Sequence, residues 1–199
     1  VKFLIGFIMP TTKPQLRTEM KSRRAGMSAQ EVLRASESIR GRVLGVDQVC
    51  EAERIFVYVS AHHEPDTLGL VRDLLADGKR VSVPRIDGNN HIQPHLIADL
   101  NDLQPGGPGQ FNLPVPPPDS PIESLPGPAV TLLPGLAFTR TGQRLGMGGG
   151  HYDRFIADHP ATLAVALCYD WQILEDLPTE PHDQRVKMLV TESGVVSCG

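Results

Sequence analysis

The sequence predicts an α/β protein: a three-layer α/β/α arrangement around a mostly parallel open sheet, preceded by N-terminal helices. Three observations carry this. Arg54 to Pro84 reads strand, helix, strand within about thirty residues, the βαβ unit whose right-handed crossover makes a parallel sheet. Apolar runs recur at Ala129 to Leu133, Thr162 to Cys168 and Lys187 to Thr191, with a helical stretch from Tyr152 to Asp158 between the first and second of these. A glycine-rich run, Gly142 to Arg154, joins the Ala129 strand to that helix. Open α/β sheets bind ligands in the crevice beyond the carboxyl ends of their strands, and the run is placed there.

In chain order, Lys13 to Ala25 consists mostly of good helix formers, with Leu16 and Met20 four apart on one face, so a basic amphipathic helix is expected up to Gly26. Ser28 and Glu31 form the Ser-x-x-Glu capping box that opens a second helix through about Leu44. Arg54 to Ser60, RIFVYVS, is β-branched and aromatic, as a buried strand should be. Asp66 or Thr67 caps the next helix, whose apolar residues Leu68, Leu70, Val71, Leu74 and Leu75 keep helical spacing until Gly78. Arg80 to Pro84 is the second strand. From Gln104 to Pro128 proline and glycine dominate, which predicts irregular surface chain on the substrate side of the site.

A chain of 199 residues, 40% of them apolar, can bury one sizeable core. We expect a single domain over 13–199 and, over 1–12, an apolar tail or extra strand. Val1 to Pro10 is about half the length of a membrane-spanning helix, and the charged helical segment after it is unlike a signal-peptide cleavage region. The net charge of −4 gives no broad basic field, so neither nucleic acid nor a membrane is expected as partner, and no obligate protein partner is indicated. The three cysteines, Cys50, Cys168 and Cys198, form no close pair, which argues for reduced thiols in a cytoplasmic protein.

The chemistry concentrates in PGLAFTRTGQRLGMGGGHYDRF. Its glycines let the backbone approach a ligand so that successive N–H groups point at one anion, and the helix N-terminus that follows adds partial positive charge. Arg144 supplies a fork that fits phosphate, and Asp153 is a hard oxygen ligand of the kind Mg²⁺ takes beside nucleotide phosphates. The spacing is neither GxxxxGK(S/T) nor the GxGxxG dinucleotide fingerprint.

These residues resemble the 5-formyltetrahydrofolate cyclo-ligase (5,10-methenyltetrahydrofolate synthetase) family. Pro134 to Arg154 is similar to its signature, and satellite motifs recur in order: KPQLR at Lys13 to Arg17, Glu64 to Thr67, Val83-Pro84-Arg85, Asn112 to Pro114, and His182-Asp183. The resemblance spans about Lys13 to Val195. It implies a three-layer α/β/α enzyme that uses ATP and Mg²⁺ to convert 5-formyltetrahydrofolate into 5,10-methenyltetrahydrofolate, releasing ADP and phosphate. Carried over by motif, the nucleotide would meet Lys13, Pro14, Gln15, Leu16 and Arg17 from the first helix. The loop Arg144, Leu145, Gly146, Met147, Gly148, Gly149, Gly150, His151 and Tyr152 would cradle its phosphates. Arg144 and Tyr152 would be catalytic, and Asp153 and Asp183 would hold the metal. Val59, Glu64, Phe111 and Tyr152 would lie against the folate.

Each assignment has a plainer rival. Lys13 and Arg17 can make a solvated helix face, Glu64 can cap the helix near Asp66, and Phe111 can be core. His62 and His63 lack a third ligand at recognisable spacing and read as exposed loop histidines. Three positions depart from the family pattern: Thr139 replaces a common Asp, His151 a second aromatic residue, and Lys187 a common Asp in the last strand. The alternatives are a non-catalytic nucleotide- or folate-binding family member and an ATP-independent sugar-phosphate isomerase on a related scaffold.

Overall fold

The computed structural model describes residues 12–61, 63–127 and 129–198; the opening apolar segment and His62 lie outside the described residues. Helices α1 (Lys13–Ala25), α2 (Ala29–Val43) and α3 (Asp47–Glu51) precede β1 (Arg54–Val57), α4 (Leu68–Ala76), β2 (Arg80–Ile86) and β3 (Ile92–Ile97). The short strands β4 (Gln104–Pro105) and β5 (Pro114–Val115) follow, then β6 (Ala129–Leu133), β7 (Ala137–Thr139), β8 (Arg144–Leu145) and α5 (His151–Asp158). The chain ends through β9 (Leu163–Leu167), β10 (Ile173–Leu174), β11 (Met188–Val190) and β12 (Val195–Ser197).

Seven strands form one sheet in the order β12-β11-β9-β6-β1-β2-β3. The inner five run parallel, in agreement with the sequence reading. Its edges, β3 and β12, are antiparallel and were not anticipated. Pro94 inside β3 argues against a strand when only the sequence is read, but an edge tolerates it, and it sits opposite Pro84 of β2.

Period-two alternation along the strands feeds two cores. Ile55 and Val57 of β1, Val130 and Leu132 of β6 and Val165 and Leu167 of β9 face Ile39 and Val43 of α2 and Leu70 and Leu74 of α4. The intervening residues meet α5 on the other face: Phe56 and Ala129 pack with Phe155, while Leu133, Ala164 and Ala166 pack with Ile156. Each fully buried Val, Leu, Ile or Phe side chain among these stabilises by about 1.5–3 kcal/mol. Helices therefore cover both faces of the sheet.

Local signals hold at most helix ends. Ser28 and Glu31 make their reciprocal capping box, and Gly78, at φ 74°, ends the segment after α4. At the start of α4, Thr67 is the N-cap by position, yet the Asp66 carboxylate accepts the Leu68 and Gly69 N–H groups, while Thr67 Oγ1 donates to Tyr58 O. The strand expected to reach Ser60 leaves the ladder after Val57 because Tyr58 and its neighbours are bonded within the following loop instead. The segment 104–128, expected to be irregular, also contains the β4–β5 pair and a bridge from Ile122 to His95.

Between β6 and α5 the chain makes an excursion that the sequence did not suggest: β7 and β8 form a hairpin, and β10 adds to β7 to complete a three-stranded sheet. Leu16 and Met20 of α1 pack on it with Leu136, Ala137 and Leu145. Thr139 closes the hairpin turn, its hydroxyl accepting from Gln143 N and meeting Thr141 Oγ1 at 2.9 Å. Gly142 sits in the turn at φ 85°, where an added Cβ would stand 2.2 Å from Val186 O. Gly142→Ala is therefore expected to destabilise the fold by about 2–3 kcal/mol, measured by urea denaturation, with Gly88→Ala as a near-neutral control. An unchanged midpoint for Gly142→Ala would refute this account of the turn.

Candidate active site

The strand order reverses at the β6–β1 junction: β2 lies on one side of β1, and β6, β9 and β11 lie in succession on the other. Loops leaving the carboxyl ends of two such strands diverge and leave a crevice. A cavity of about 330 Å³ occupies this position. Val59 and Glu64 after β1, Pro134 and Gly135 after β6, and the run from Arg144 to Asp153 line it. Arg24 of α1 and Gln110, Phe111 and Leu113 of the proline-rich segment complete the wall.

α1 is tied to the loops around this crevice through Lys13 and Arg17. Thr12 and Gln15 form a capping box, with the Gln15 amide oxygen 3.0 Å from Thr12 N. The Gln15 side chain is thus engaged in the cap, Pro14 is exposed, and Leu16 is core. Lys13 and Arg17, one turn apart, are the two that reach other loops. Lys13 Nζ lies 2.6 Å from Asp183 Oδ2 and 2.5 Å from Glu180 Oε2. Burial pulls the Lys13 ammonium down, but the hydrogen bonds to Asp183 and Glu180 outweigh it and hold the group above the ordinary lysine range. Asp183 mirrors this: burial pushes its carboxyl up, but Lys13 and the Glu180 N–H draw it below the usual carboxylate value. Arg17 donates from Nε to Gly146 O at 3.0 Å, so the helix meets the glycine loop directly.

Within that loop, Gly148 at φ 108° and Gly150 at φ 65° use backbone conformations that favour glycine. Gly148 also passes under Arg17, whose guanidinium carbon would lie 3.4 Å from a Cβ there. Gly150 is the N-cap of α5, and no side chain among the described residues caps that helix. The N-terminal turn of α5 therefore presents backbone N–H groups and the positive end of the helix dipole to an anion.

Arg144 is buried, and its Nη2 lies 2.8 Å from Asp153 Oδ1. Its Nε has no partner among the described residues, and its guanidinium lies 5.9 Å from the Tyr152 ring centre. Asp153 Oδ1 also accepts the Gln184 N–H at 3.1 Å, which draws the segment after Asp183 towards α5. Burial pushes the Tyr152 phenol far above its ordinary value, with the Glu64 charge adding and Arg144 opposing, so Tyr152 is a hydrogen-bond donor and not a base.

On the opposite wall, Glu64 is buried, its Oε1 accepting from Arg24 Nη1 at 3.0 Å and its Oε2 from Ala61 N at 2.9 Å. It thus caps its own turn and not α4. Phe111 is 61% exposed at the mouth and so is not core. It lies edge-on to His151 with ring centres 5.4 Å apart. His151 bonds Asn90 Oδ1 through Nε2 at 2.8 Å, and Arg154 donates to Asn90 O at 3.0 Å and to Gly149 O at 3.1 Å. The tip of the β2–β3 hairpin is thereby fastened to the glycine loop. Gln110 fixes the Phe111 segment by bonding both Ile86 N and Ile86 O with its side-chain amide.

Sequence reasoning missed Arg24, Asn90, Gln110 and Glu180. Arg24 alone had a usable signal, falling seven residues, two helical turns, after Arg17. Of the positions that depart from the family pattern, Lys187 is exposed. As donors for a hard divalent cation, Asp153 offers a carboxylate beside the glycine loop, and Glu180, His182 and Asp183 place candidate ligand atoms within 4.8 Å of one another; Asp153 and Asp183 are not grouped as ligands of one ion, their link being the bond that Asp153 accepts from the Gln184 N–H. Lys13 is the cation that two of those three hold here. Among the described residues no helix is long and apolar enough to cross a membrane. Cys50 is exposed, while Cys168 and Cys198 are buried and free; burial pushes both of their thiols up, which disfavours the nucleophilic thiolate.

The chain matches the 5-formyltetrahydrofolate cyclo-ligase family over residues 10–192. It is 33% identical to 5-formyltetrahydrofolate cyclo-ligase of Mycolicibacterium smegmatis, over 94% of this chain and 98% of that one. With 5-formyltetrahydrofolate cyclo-ligase of Mus musculus it shares 29% identity over 94% of this chain and 97% of the relative. The solved structure of Aquifex aeolicus 5,10-methenyltetrahydrofolate synthetase superposes with a TM-score of 0.83 at 27% identity, covering 94% of this chain and 92% of that one. A match over nearly the whole chain, on a structure whose signature segment lines the crevice at the sheet's switch point, means that this chain is an enzyme of the 5-formyltetrahydrofolate cyclo-ligase family.

Proposed function

We propose that the chain converts 5-formyltetrahydrofolate into 5,10-methenyltetrahydrofolate at the expense of Mg-ATP, releasing ADP and phosphate. The observation that carries this reading is that one cavity is shared by the Gly146 to Gly150 loop and by the Val59–Glu64 wall, with Arg144 and Tyr152 at their junction. A nucleotide on the loop and a folate on the wall would therefore meet there.

A formamide carbonyl is a poor electrophile, and its oxygen is a poor leaving group. Phosphorylation changes both. The N5-formyl oxygen attacks the γ-phosphate in line, ADP leaves, and an imidoyl phosphate forms. N10 then adds to the activated carbon, its proton passes to the departing phosphate, the ring closes, and the former formyl oxygen leaves within inorganic phosphate. Positioning and charge neutralisation dominate such a reaction. Lys13, Arg17 and the N–H groups of the loop and of the first turn of α5 hold the phosphates. Asp153 and Asp183 would hold Mg²⁺, which when bound offsets phosphate charge. Arg144 lies against the transferring group, and Tyr152, protonated, hydrogen-bonds at the reacting centre. Val59 and Glu64 lie against the folate, and Phe111 covers it. No step calls for a nucleophilic Ser or Cys.

Mixing the protein with 5-formyltetrahydrofolate labelled with heavy oxygen in the formyl group, together with Mg-ATP, tests the reaction and its route. The expected result is the methenyl chromophore, only when ATP is present, and one labelled oxygen in phosphate per turnover. Chromophore formation without ATP, or label left in water or folate, would overturn the phosphorylated intermediate. Binding of both ligands with no chromophore would make the chain a non-catalytic binder.

A further inference from the structure

α1 carries one stripe of long cations, Lys13, Arg17 and Arg24, at helical positions i, i+4 and i+11. The first two face the glycine loop and the Asp183 segment. Arg24, about 10 Å beyond Arg17 along the helix, is the member of the stripe that lines the cavity. There it is 7% exposed, and its Nη1 lies 3.0 Å from Glu64 Oε1.

We propose that Arg24 is a positioning residue for the folate end of the site, its guanidinium holding the Glu64 carboxylate in place on the cavity wall. This rests on the functional reading above. The turn that bears Glu64 is anchored from several directions. Glu64 N donates to Ala61 O and Ala61 N to Glu64 Oε2, the Arg24 carbonyl meets His63 Nδ1 at 3.1 Å, and Tyr169 Oη donates to His63 O. Arg24 and the Ala61 N–H each engage one carboxylate oxygen, which fixes the plane of the carboxylate and leaves lone pairs of both oxygens for a ligand. A carboxylate so fixed is complementary to the paired N–H donors of an amino-pyrimidinone ring. Without Arg24, Glu64 would be a buried carboxylate with one backbone donor, free to turn away. Because Arg24 shares a helix with Lys13 and Arg17, one rigid element sets the nucleotide end and the folate end in fixed register.

The test is calorimetric titration of 5-formyltetrahydrofolate, and separately of Mg-ATP, into the wild-type chain, Arg24→Met, Arg24→Lys, Glu64→Gln and the double variant Arg24→Met/Glu64→Gln. Arg24→Met is expected to weaken folate binding by about 30- to 100-fold, the lower end of what truncating one partner of a buried charge pair causes. Its ATP affinity should stay within about twofold, since the nucleotide end lies two turns away. Arg24→Lys should recover part of the loss, because an ammonium keeps the charge but not the fork. The double variant should bind folate no more weakly than the worse single, because both changes act on one carboxylate. Unchanged folate affinity in Arg24→Met, or a parallel fall in ATP affinity, would overturn the inference. Should Arg24→Met fail to fold, Arg24→Lys decides: a folate-only loss of about 3- to 10-fold supports the role, and wild-type affinity refutes it. A wild-type chain that does not bind the folate overturns the proposed function itself, an outcome distinct from wild-type binding that the variants leave untouched.

Discussion

Arg144→Ala is expected to lower turnover by roughly 30- to 1000-fold, the scale of about 2–4 kcal/mol that one preorganised electrostatic contact contributes at a transferring group. Arg144 has little freedom to do anything else. Its side chain is 2% exposed and tied to Asp153 through Nη2, while Nε is buried with no partner among the described residues. Such a donor is one that a phosphate oxygen would complete after a small shift of the guanidinium. Arg144→Ala removes that donor and also strands Asp153, so the variant should lose stability as well, and turnover must be referred to the folded fraction. Arg144→Lys should restore only part of the rate, since an ammonium cannot bridge Asp153, Pro134 O and a phosphate in one plane. Steady-state kinetics of the two variants, with urea denaturation alongside, check this. A turnover number within about threefold of wild type in folded Arg144→Ala would remove Arg144 from the chemistry.

The parts of the fold that were legible in the sequence are those whose signal is local. β1, β6 and β9 are apolar runs because both of their faces are buried, and the capping box at Ser28 and the stop at Gly78 act within one turn. β3, β7, β8, β10 and β12 were not legible because they are short or interrupted and are defined by pairing: β3, β8 and β12 by the strand just before them, β10 by β7. β3 contains Pro94 and takes its register from β2, and β7 gains β10 from a segment more than thirty residues later.

The candidate site divides in the same way. Arg144, Tyr152 and Asp153 stand in one contiguous motif and line the crevice together; Arg17 touches that motif from outside the cavity wall through Gly146 O, while Lys13 is engaged with Asp183 and Glu180 and does not line it. Arg24 reads as one more surface cation of a basic helix until tertiary structure sets it against Glu64. Asn90 and Gln110 lie in turns without periodicity, and their roles come from bonds to His151, 61 residues away, and to Ile86, 24 residues away. Nor was the Lys13–Asp183 pair apparent: the same two residues were assigned separately, one to phosphate and one to metal, and the structure shows them bonded to each other. The pairing gives each charge a neutralising partner.

Asp153→Asn should separate the metal from the scaffold. Asp153 Oδ1 already accepts from Arg144 and from the Gln184 N–H, and an asparagine oxygen can keep both bonds, so the segment near Asp183 should stay in place and the fold should hold. What the substitution removes is the negative charge and one carboxylate oxygen, the features that make a carboxylate the side-chain ligand Mg²⁺ favours beside water and phosphate. The Mg²⁺ concentration for half-maximal activity should therefore rise by at least the roughly 10- to 100-fold that loss of even an outer-shell partner costs a metal site, with turnover falling alongside it. Asp183→Asn is the informative contrast. Asp183 accepts from Lys13 with both oxygens, so neutralising it weakens the hold on Lys13 as well as on metal, and ATP affinity should change together with Mg²⁺ dependence. Titration of Mg²⁺ at fixed ATP, and of ATP at saturating Mg²⁺, distinguishes the two patterns. If folded Asp153→Asn kept the wild-type Mg²⁺ dependence, Asp153 would be the counter-ion of Arg144 and nothing more, and Asp183 and Glu180, both paired with Lys13, would be left as the candidate ligands.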